Sequence, residues 1–317
     1  MMKLDGVAAF VAVADAGSIV EAARRLGLSK SVVSERLAEL ERTLGARLLQ
    51  RTTRKMSLTE DGAAFLARGR RIVREVTESA AEMAERRGEL VGPLRISGPV
   101  SFGVLHLGPA IYPFLKANPR IDLTLDLNDR FIDVAADGYD GVVRHGPIRD
   151  NRLVAKRLAP SRRVLVASPK YLAAFGEPRS LADLEGRRAI LYTNRETDWR
   201  FVGPEGATVA RPLAGLRVNN GLVMRDAALA GLGITLLASF VIEAELASGA
   251  LRVIDVGAEP EGADVYLAYP RDRDPSAKIL ALVESLRRAF GDPPYWDAGL
   301  DKATAEGARA ALVTAST

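Results

Sequence analysis

Two short stretches near the N-terminus carry residue types that grip a polyanion. One is Ser29, Lys30, Ser31, Val32, Ser34, Glu35 and Arg36; the other is Arg51, Thr52, Arg54 and Lys55. Lys and Arg supply charge to phosphates, and short hydroxyl side chains let a backbone approach base edges closely. A third set lies much further along the chain: Ser101, Phe102, Arg144, His145, Thr193, Asn219 and Asn220. These are donors, one cation and an aromatic ring, suited to holding a small molecule and an anion in particular. Catalysis lacks its usual parts. There is no cysteine, so disulfides, Cys-ligated zinc and thiol nucleophiles are excluded. Only two histidines exist, His106 and His145, and no G-x-S-x-G, Walker A or H-E-x-x-H string occurs. No catalytic residue, metal site or cofactor is expected.

The chain of 317 residues is long enough for about two domains. Its 48% apolar and 26% charged content fits a folded protein. The net charge of +4 is unevenly placed: residues 1–75 hold 14 Lys/Arg against 9 Asp/Glu, and the remaining residues hold 30 against 31. The positive excess therefore sits in the N-terminal quarter, as a polyanion footprint requires. No apolar run reaches the roughly 20 residues of a membrane span. No signal peptide is read at the N-terminus, so the expectation is a cytoplasmic protein without a membrane partner.

These residues need elements to position them. Leu4, Val7, Phe10, Val11 and Ala14 recur at the spacing of one helix face, and Gly17 ends that helix. Ser18 through Glu21 has the form of a capping box before a short helix with Val20, Ala23 and Leu26 inward. Gly27-Leu28-Ser29 reads as a tight turn, and a third helix runs from about Lys30 to Leu44 with Val33, Leu37, Leu40 and Leu44 buried. Two helices joined by such a turn form a helix-turn-helix, whose second helix enters the major groove; a plain three-helix bundle has the same geometry. Residues 47–59 alternate apolar Leu49, Met56 and Leu58 around the basic tip, which reads as a two-stranded wing.

Taken together, Ala22-Ala23-Arg24-Arg25-Leu26-Gly27-Leu28-Ser29, Val33-Ser34, Leu40-Glu41, Leu44-Gly45, Leu48-Leu49, Arg51 and Leu58-Thr59-Glu60-Asp61-Gly62 resemble the winged helix-turn-helix of LysR-type transcriptional regulators. The resemblance implies double-stranded DNA as a partner, with Ser18 joining the two N-terminal stretches as contact residues. Lys30 stands where the family commonly has glutamine, and Glu35 where a basic or small residue is frequent. Which bases are read is therefore open.

From Glu60 to about Gly88 the chain reads as one long helix. Gly62, Leu66, Gly69, Val73, Val76, Ala80 and Met83 form a heptad-type seam. This helix either packs on its own domain or, as the resemblance implies, pairs with a twin in a homodimer or homotetramer. Past Pro93, short apolar runs alternate with helical patterns, which indicates a largely parallel α/β arrangement. Val100-Ser101-Phe102-Gly103, Leu158–Arg163 and Ala230–Ile234 resemble the effector-binding half of the same family, through about Phe290. The implied fold is a two-lobed, periplasmic-binding-protein-like α/β effector domain plus an N-terminal α-helical winged helix-turn-helix domain, joined by a long linker helix. The expected division is 1–59 for the DNA-binding head, 60–88 for the linker, and 93–290 for the effector domain. Within the last, lobe one is 93–163 with 268–290 and lobe two is 164–267; residues 291–317 are an extension outside the resemblance. Ser101 and Asn220 also read as helix caps, and Arg144 as a partner of Asp140. An enzyme in the same cleft and a constitutive DNA binder are the competing readings.

Overall fold

The computed structural model describes residues 2–51, 56–130, 132–134, 137–194, 199–203, 206–272, 275–298 and 300. It divides into two compact units, Met1–Pro93 and Leu94–Thr317.

The first unit opens with three helices, α1 (Leu4–Ala16), α2 (Ile19–Leu26) and α3 (Lys30–Leu44). Ser18 caps α2, accepting from the Glu21 amide at 3.5 Å, and Ser29 caps α3, accepting from the Val32 amide at 3.3 Å. Gly27, at φ 63°, ends α2 in the left-handed conformation that the turn between the two helices needs. Val7, Phe10, Ala22, Ala23, Val33, Leu37 and Leu40 make one core. Three expectations shift by one helical position. Val20 and Leu4 point outward, with Ile19 and Ala22 inward in their place, and Leu44 lies at the exposed end of α3. The apolar stripe of α2 is so short that one turn more or less decides which residue faces the core.

The expected wing is present as the antiparallel pair β1 (Leu49–Arg51) and β2 (Met56–Leu58), in register Leu49 with Leu58 and Arg51 with Met56. It is tied to the recognition helix by Glu41, whose Oε1 accepts the Leu48 amide at 2.8 Å and the Leu49 amide at 3.2 Å. Thr59 then caps α4 (Glu60–Glu85), accepting from the Gly62 amide at 2.9 Å and donating its hydroxyl to the Arg47 carbonyl at 2.6 Å.

Helix α4 divides its seam in two. Gly62, Leu66 and Gly69 are buried against the head, and Phe65 packs on Phe10 with ring centroids 5.7 Å apart. Val76, Ala80 and Met83 are exposed along the second half. Gly62 permits the contact: a Cβ there would fall 2.0 Å from the Leu48 carbonyl oxygen, whereas at Gly69 it would meet the Val11 side chain at 3.2 Å.

The second unit holds two five-stranded sheets. Its strands are β3 (Gly92–Gly98), β4 (Ile121–Leu127), β5 (Gly141–His145), β6 (Leu153–Ala159), β7 (Arg163–Ala167), β8 (Arg188–Tyr192), β9 (Trp199–Gly203), β10 (Gly206–Ala210), β11 (Leu213–Val218), β12 (Ile234–Ala238), β13 (Arg252–Val253), β14 (Glu259–Pro260) and β15 (Val265–Pro270). The first sheet has the order β4-β3-β5-β15-β6 and the second β11-β8-β12-β7-β13; β10-β9-β14 form a small third sheet. The chain thus crosses between lobes at 160–162 and returns before β15, which pairs along its whole length in the first sheet. The sheets are mixed, in place of the largely parallel arrangement expected. β3/β5, β8/β11 and β8/β12 run parallel, whereas β7 and β15, the first strand after each crossing, pair antiparallel. A strand that enters from the other lobe has no crossover helix to turn it round.

The helices of this unit are α5 (Val100–Phe102), which runs through a π turn (Gly103–Leu107) into α6 (Gly108–Ala117), then α7 (Pro169–Phe175), α8 (Gly221–Leu229), α9 (Glu243–Ala247) and α10 (Ala277–Phe290). The helix expected at 131–136 is not formed at 132–134, and its other residues lie outside the described ones. Beyond α10, a 3₁₀ turn at Tyr295–Asp297 buries Trp296 completely. Residues 301–317 lie outside the described ones. Gly62→Ala is expected to destabilise the head by about 1–3 kcal/mol through overpacking on backbone, and Gly69→Ala by less. Hydrogen exchange of the α1 amides measures both.

Candidate functional site

In the head, Ser29, Lys30, Ser31 and Glu35 are exposed on the first turns of α3, and Val32 and Ser34 are half-buried beside them. The Ser29 and Ser31 hydroxyls are 2.8 Å apart, so the helix start presents a small polar face with a cation next to it. Arg36 is turned away to Asp5 of α1, in an ion pair of 3.0 Å. Ser18 is half-buried and occupied as a cap. Arg51 ends β1; Thr52, Arg54 and Lys55, the tip of the wing, lie outside the described residues. Behind this face Glu21 accepts from Arg24 and Arg25, and those bonds hold its carboxyl down at about 2.

In the second unit a cleft of about 460 Å³ opens between the two lobes. Four of the expected residues line it: Ser101, Phe102, Arg144 and His145. Asn220 sits at its edge as the N-cap of α8, its Oδ1 accepting the Leu222 and Val223 amides at 3.0 and 3.3 Å. Thr193 and Asn219 are exposed and do not line the cleft; their neighbours Tyr192, Asn194 and Gly221 do. Along an extended strand end, adjacent residues face opposite ways, so an error of one position moves a side chain to the other face. Ser101 caps nothing, since Pro99 occupies the N-cap position of α5, and its hydroxyl faces Gly221 across the cleft.

Arg144 is half-buried, and its guanidinium donates to the carbonyls of Val143 and Arg130, each at 3.2 Å. Burial lowers its pKa, an effect that nearby Asp129 opposes. Asp140, the partner expected for Arg144, instead accepts the backbone amide of Arg95 at 2.7 Å. Arg130, Arg163 and Asp129 also line the cleft. Asp129 in turn joins the lobes. Its Oδ1 accepts the Val100 amide at 3.0 Å, its Oδ2 accepts from the Asn220 side chain at 3.3 Å, and its carbonyl accepts from the Asn194 side chain at 2.8 Å. Phe102, Trp199, Met224, Leu236 and Phe240 give the rest of the cavity an apolar body. Among the described residues no group of His, Cys, Asp and Glu could hold a metal ion.

Comparison with known proteins decides the family. Residues 4–63 match the bacterial regulatory helix-turn-helix protein of the lysR family, and residues 87–291 match the LysR substrate binding domain. The chain belongs to the LysR-type transcriptional regulators. It is 35% identical to the HTH-type transcriptional regulator PtxR of Pseudomonas aeruginosa, over 93% of this chain and 95% of that protein. It is 32% identical to the HTH-type transcriptional regulator DmlR of Escherichia coli, over 91% and 95%. The solved structure of CrgA, a LysR-type transcriptional regulator from Neisseria meningitidis, superposes with a TM-score of 0.55 at 28% identity, covering 90% of this chain and 96% of that one. This LysR regulator is accordingly a DNA-binding transcription regulator with its family's effector-binding domain, and not an enzyme. Among its described residues no helix is long and apolar enough to cross a membrane.

Asp129 is a cleft residue that the sequence alone does not single out. It carries no spacing signal, because its partners lie 29, 65 and 91 residues away. Asp129→Asn turns an amide N–H₂ toward that of Asn220 and removes the charge next to Arg144. It is expected to destabilise the effector unit by about 1–3 kcal/mol. Both tryptophans of the LysR regulator, Trp199 and Trp296, lie in that unit, so denaturation followed by tryptophan fluorescence isolates the effect.

Proposed function

We propose that this LysR regulator is a ligand-responsive switch that senses a small organic anion in the interlobe cleft. On this reading residues 1–59 read DNA, residues 60–88 pair two copies, and residues 93–290 sense the effector. The observation that supports the reading is Arg144: a half-buried guanidinium in the cleft wall that, among the described residues, donates to the carbonyls of Val143 and Arg130. A carboxylate or similar group on the effector completes its pairing, and bidentate Arg–anion bonds are strong in such surroundings. The apolar wall supports a ligand with a hydrophobic body beside its charge. The effector shifts the regulator between states only as far as it binds one of them more tightly.

The same proposal assigns DNA contact to the exposed start of α3 and to the wing, with Lys30 as the cation nearest the base-reading face. Arg36 supports the head through Asp5 in place of a phosphate contact. The exposed stripe Val76, Ala80 and Met83 is the surface through which two copies pair as a homodimer, or as the dimers of a homotetramer, to span an interrupted inverted repeat.

Three measurements test this. Thermal shift against a panel of small organic anions should give stabilisation that rises with concentration by mass action and vanishes in Arg144→Gln. A shift undiminished by Arg144→Gln sinks the assignment, and the absence of any shift favours the constitutive reading. In salt titrations of DNA binding, Lys30→Ala is expected to reduce the slope of log K against log salt by about 1 and Arg36→Ala to leave it unchanged. Val76→Glu with Met83→Glu is expected to convert dimers to monomers in sedimentation, with the head still folded.

A further inference from the structure

The rear of the cleft is closed by rings from both lobes. Phe102 of the first lobe and Phe240 of the second meet edge to face with centroids 5.0 Å apart. Behind them lies Trp296, fully buried, with centroids 5.8 Å from Phe102, 6.4 Å from Phe240 and 4.8 Å from His106. Trp296 therefore touches both lobes without lining the cleft itself. Its neighbour Tyr295 adds a directed contact. The Phe240 carbonyl can only accept, so His106 Nε2 carries the proton and donates to it at 2.9 Å. His106 Nδ1 is then the acceptor for the Tyr295 hydroxyl at 2.5 Å. One chain of hydrogen bonds thus runs from the segment after α10, through a first-lobe histidine, to a second-lobe carbonyl. This segment lies past residue 291, where the match to the LysR substrate binding domain ends.

We propose that Tyr295 and Trp296 form an interlobe clamp that sets the opening of the cleft. Two lobes joined by two crossing segments move relative to each other unless further contacts restrain them. Here the restraint at the mouth is Asp129, and the restraint at the rear is the aromatic cluster with Trp296 at its centre. Tyr295 and Trp296 act as positioning residues, because they reach the cleft only through Phe102, Phe240 and His106. Trp296 packs on Phe102 of one lobe and Phe240 of the other at once, a pair of contacts that exists only with the lobes held together. Closure of the cleft and seating of the segment are therefore coupled.

The test uses Trp199, which lines the cleft and belongs to none of the ring contacts around Trp296. With only two tryptophans in the chain, Trp296→Phe leaves Trp199 as the sole indole while keeping a ring in the clamp. Adding Tyr295→Ala to that background, or ending the chain after Gly291, is expected to raise acrylamide quenching of Trp199 by about twofold or more, as the closed population falls. Hydrogen exchange at Ser239–Ile242 should quicken in the same variants, with a cooperative melt retained. Quenching and exchange unchanged from the Trp296→Phe background overturn the proposal. Tyr295 is half exposed and its replacement leaves the core intact, so that variant decides the matter even where the shortened chain does not fold. The outcome is independent of whether any effector is found, and so separates failure of the clamp from failure of the sensing proposal.

Discussion

The carboxylate of Asp129 is the constraint on which the effector unit is built. It receives the Val100 amide at the first turn of α5 and the Asn220 side chain at the cap of α8, so one charge holds the starts of two helices from opposite lobes. An acceptor at those positions satisfies donors that have no partner within the helices. A charge so placed also needs a counter-charge, and nearby Arg144 of the same lobe provides it. Arg130 and Arg163 line the same cavity.

The head obeys a different constraint, set by close approach of backbones. Gly62 lets the first turn of α4 lie on the Leu48 carbonyl, Thr59 caps that turn, and Glu41 holds the first residues of the wing. Three consecutive pieces, α3, the wing and α4, are thus joined by short polar contacts as well as by the apolar core. The exposed start of α3 keeps its orientation because every element around it is fixed in this way.

Much of this was legible in the sequence, and the parts that were not share a physical cause. Helices α1, α3 and α4, the wing, and the strands at 94–97, 121–127, 163–167 and 265–269 follow from period and punctuation, which are local signals. The errors are of one or two positions on short elements: Val20 in α2, Leu44 at the end of α3, Thr193 next to the cleft residue Tyr192, and Asn219 two residues before the cleft residue Gly221. Short elements carry too few repeats to fix their phase. Strands β6, β9 and β10 carry little such signal, because charged or small residues interrupt their apolar alternation. Asp129, the Arg36–Asp5 pair and the burial of Trp296 depend on partners distant in sequence, for which one chain offers no pattern. The family resemblance supplied the existence of the cleft, but the identity of its walls came only from the fold.

The division of α4 gives the proposed switch its mechanics. A 26-residue α-helix is about 39 Å long at about 1.5 Å per residue, and its first half shares a core with α1 through Leu66, Gly69 and Phe65. A close-packed contact of this kind does not deform gradually. Whatever rotates the second half of α4, where Val76, Ala80 and Met83 are exposed, must carry the head with it. The same seam that Gly62 and Gly69 begin as an internal contact continues, one heptad on, as the exposed stripe proposed to meet a second copy. On the proposed pairing, head orientation and pairing geometry are coupled: a change in the crossing of two such helices reaches α3 through the packed contact of α4 with α1.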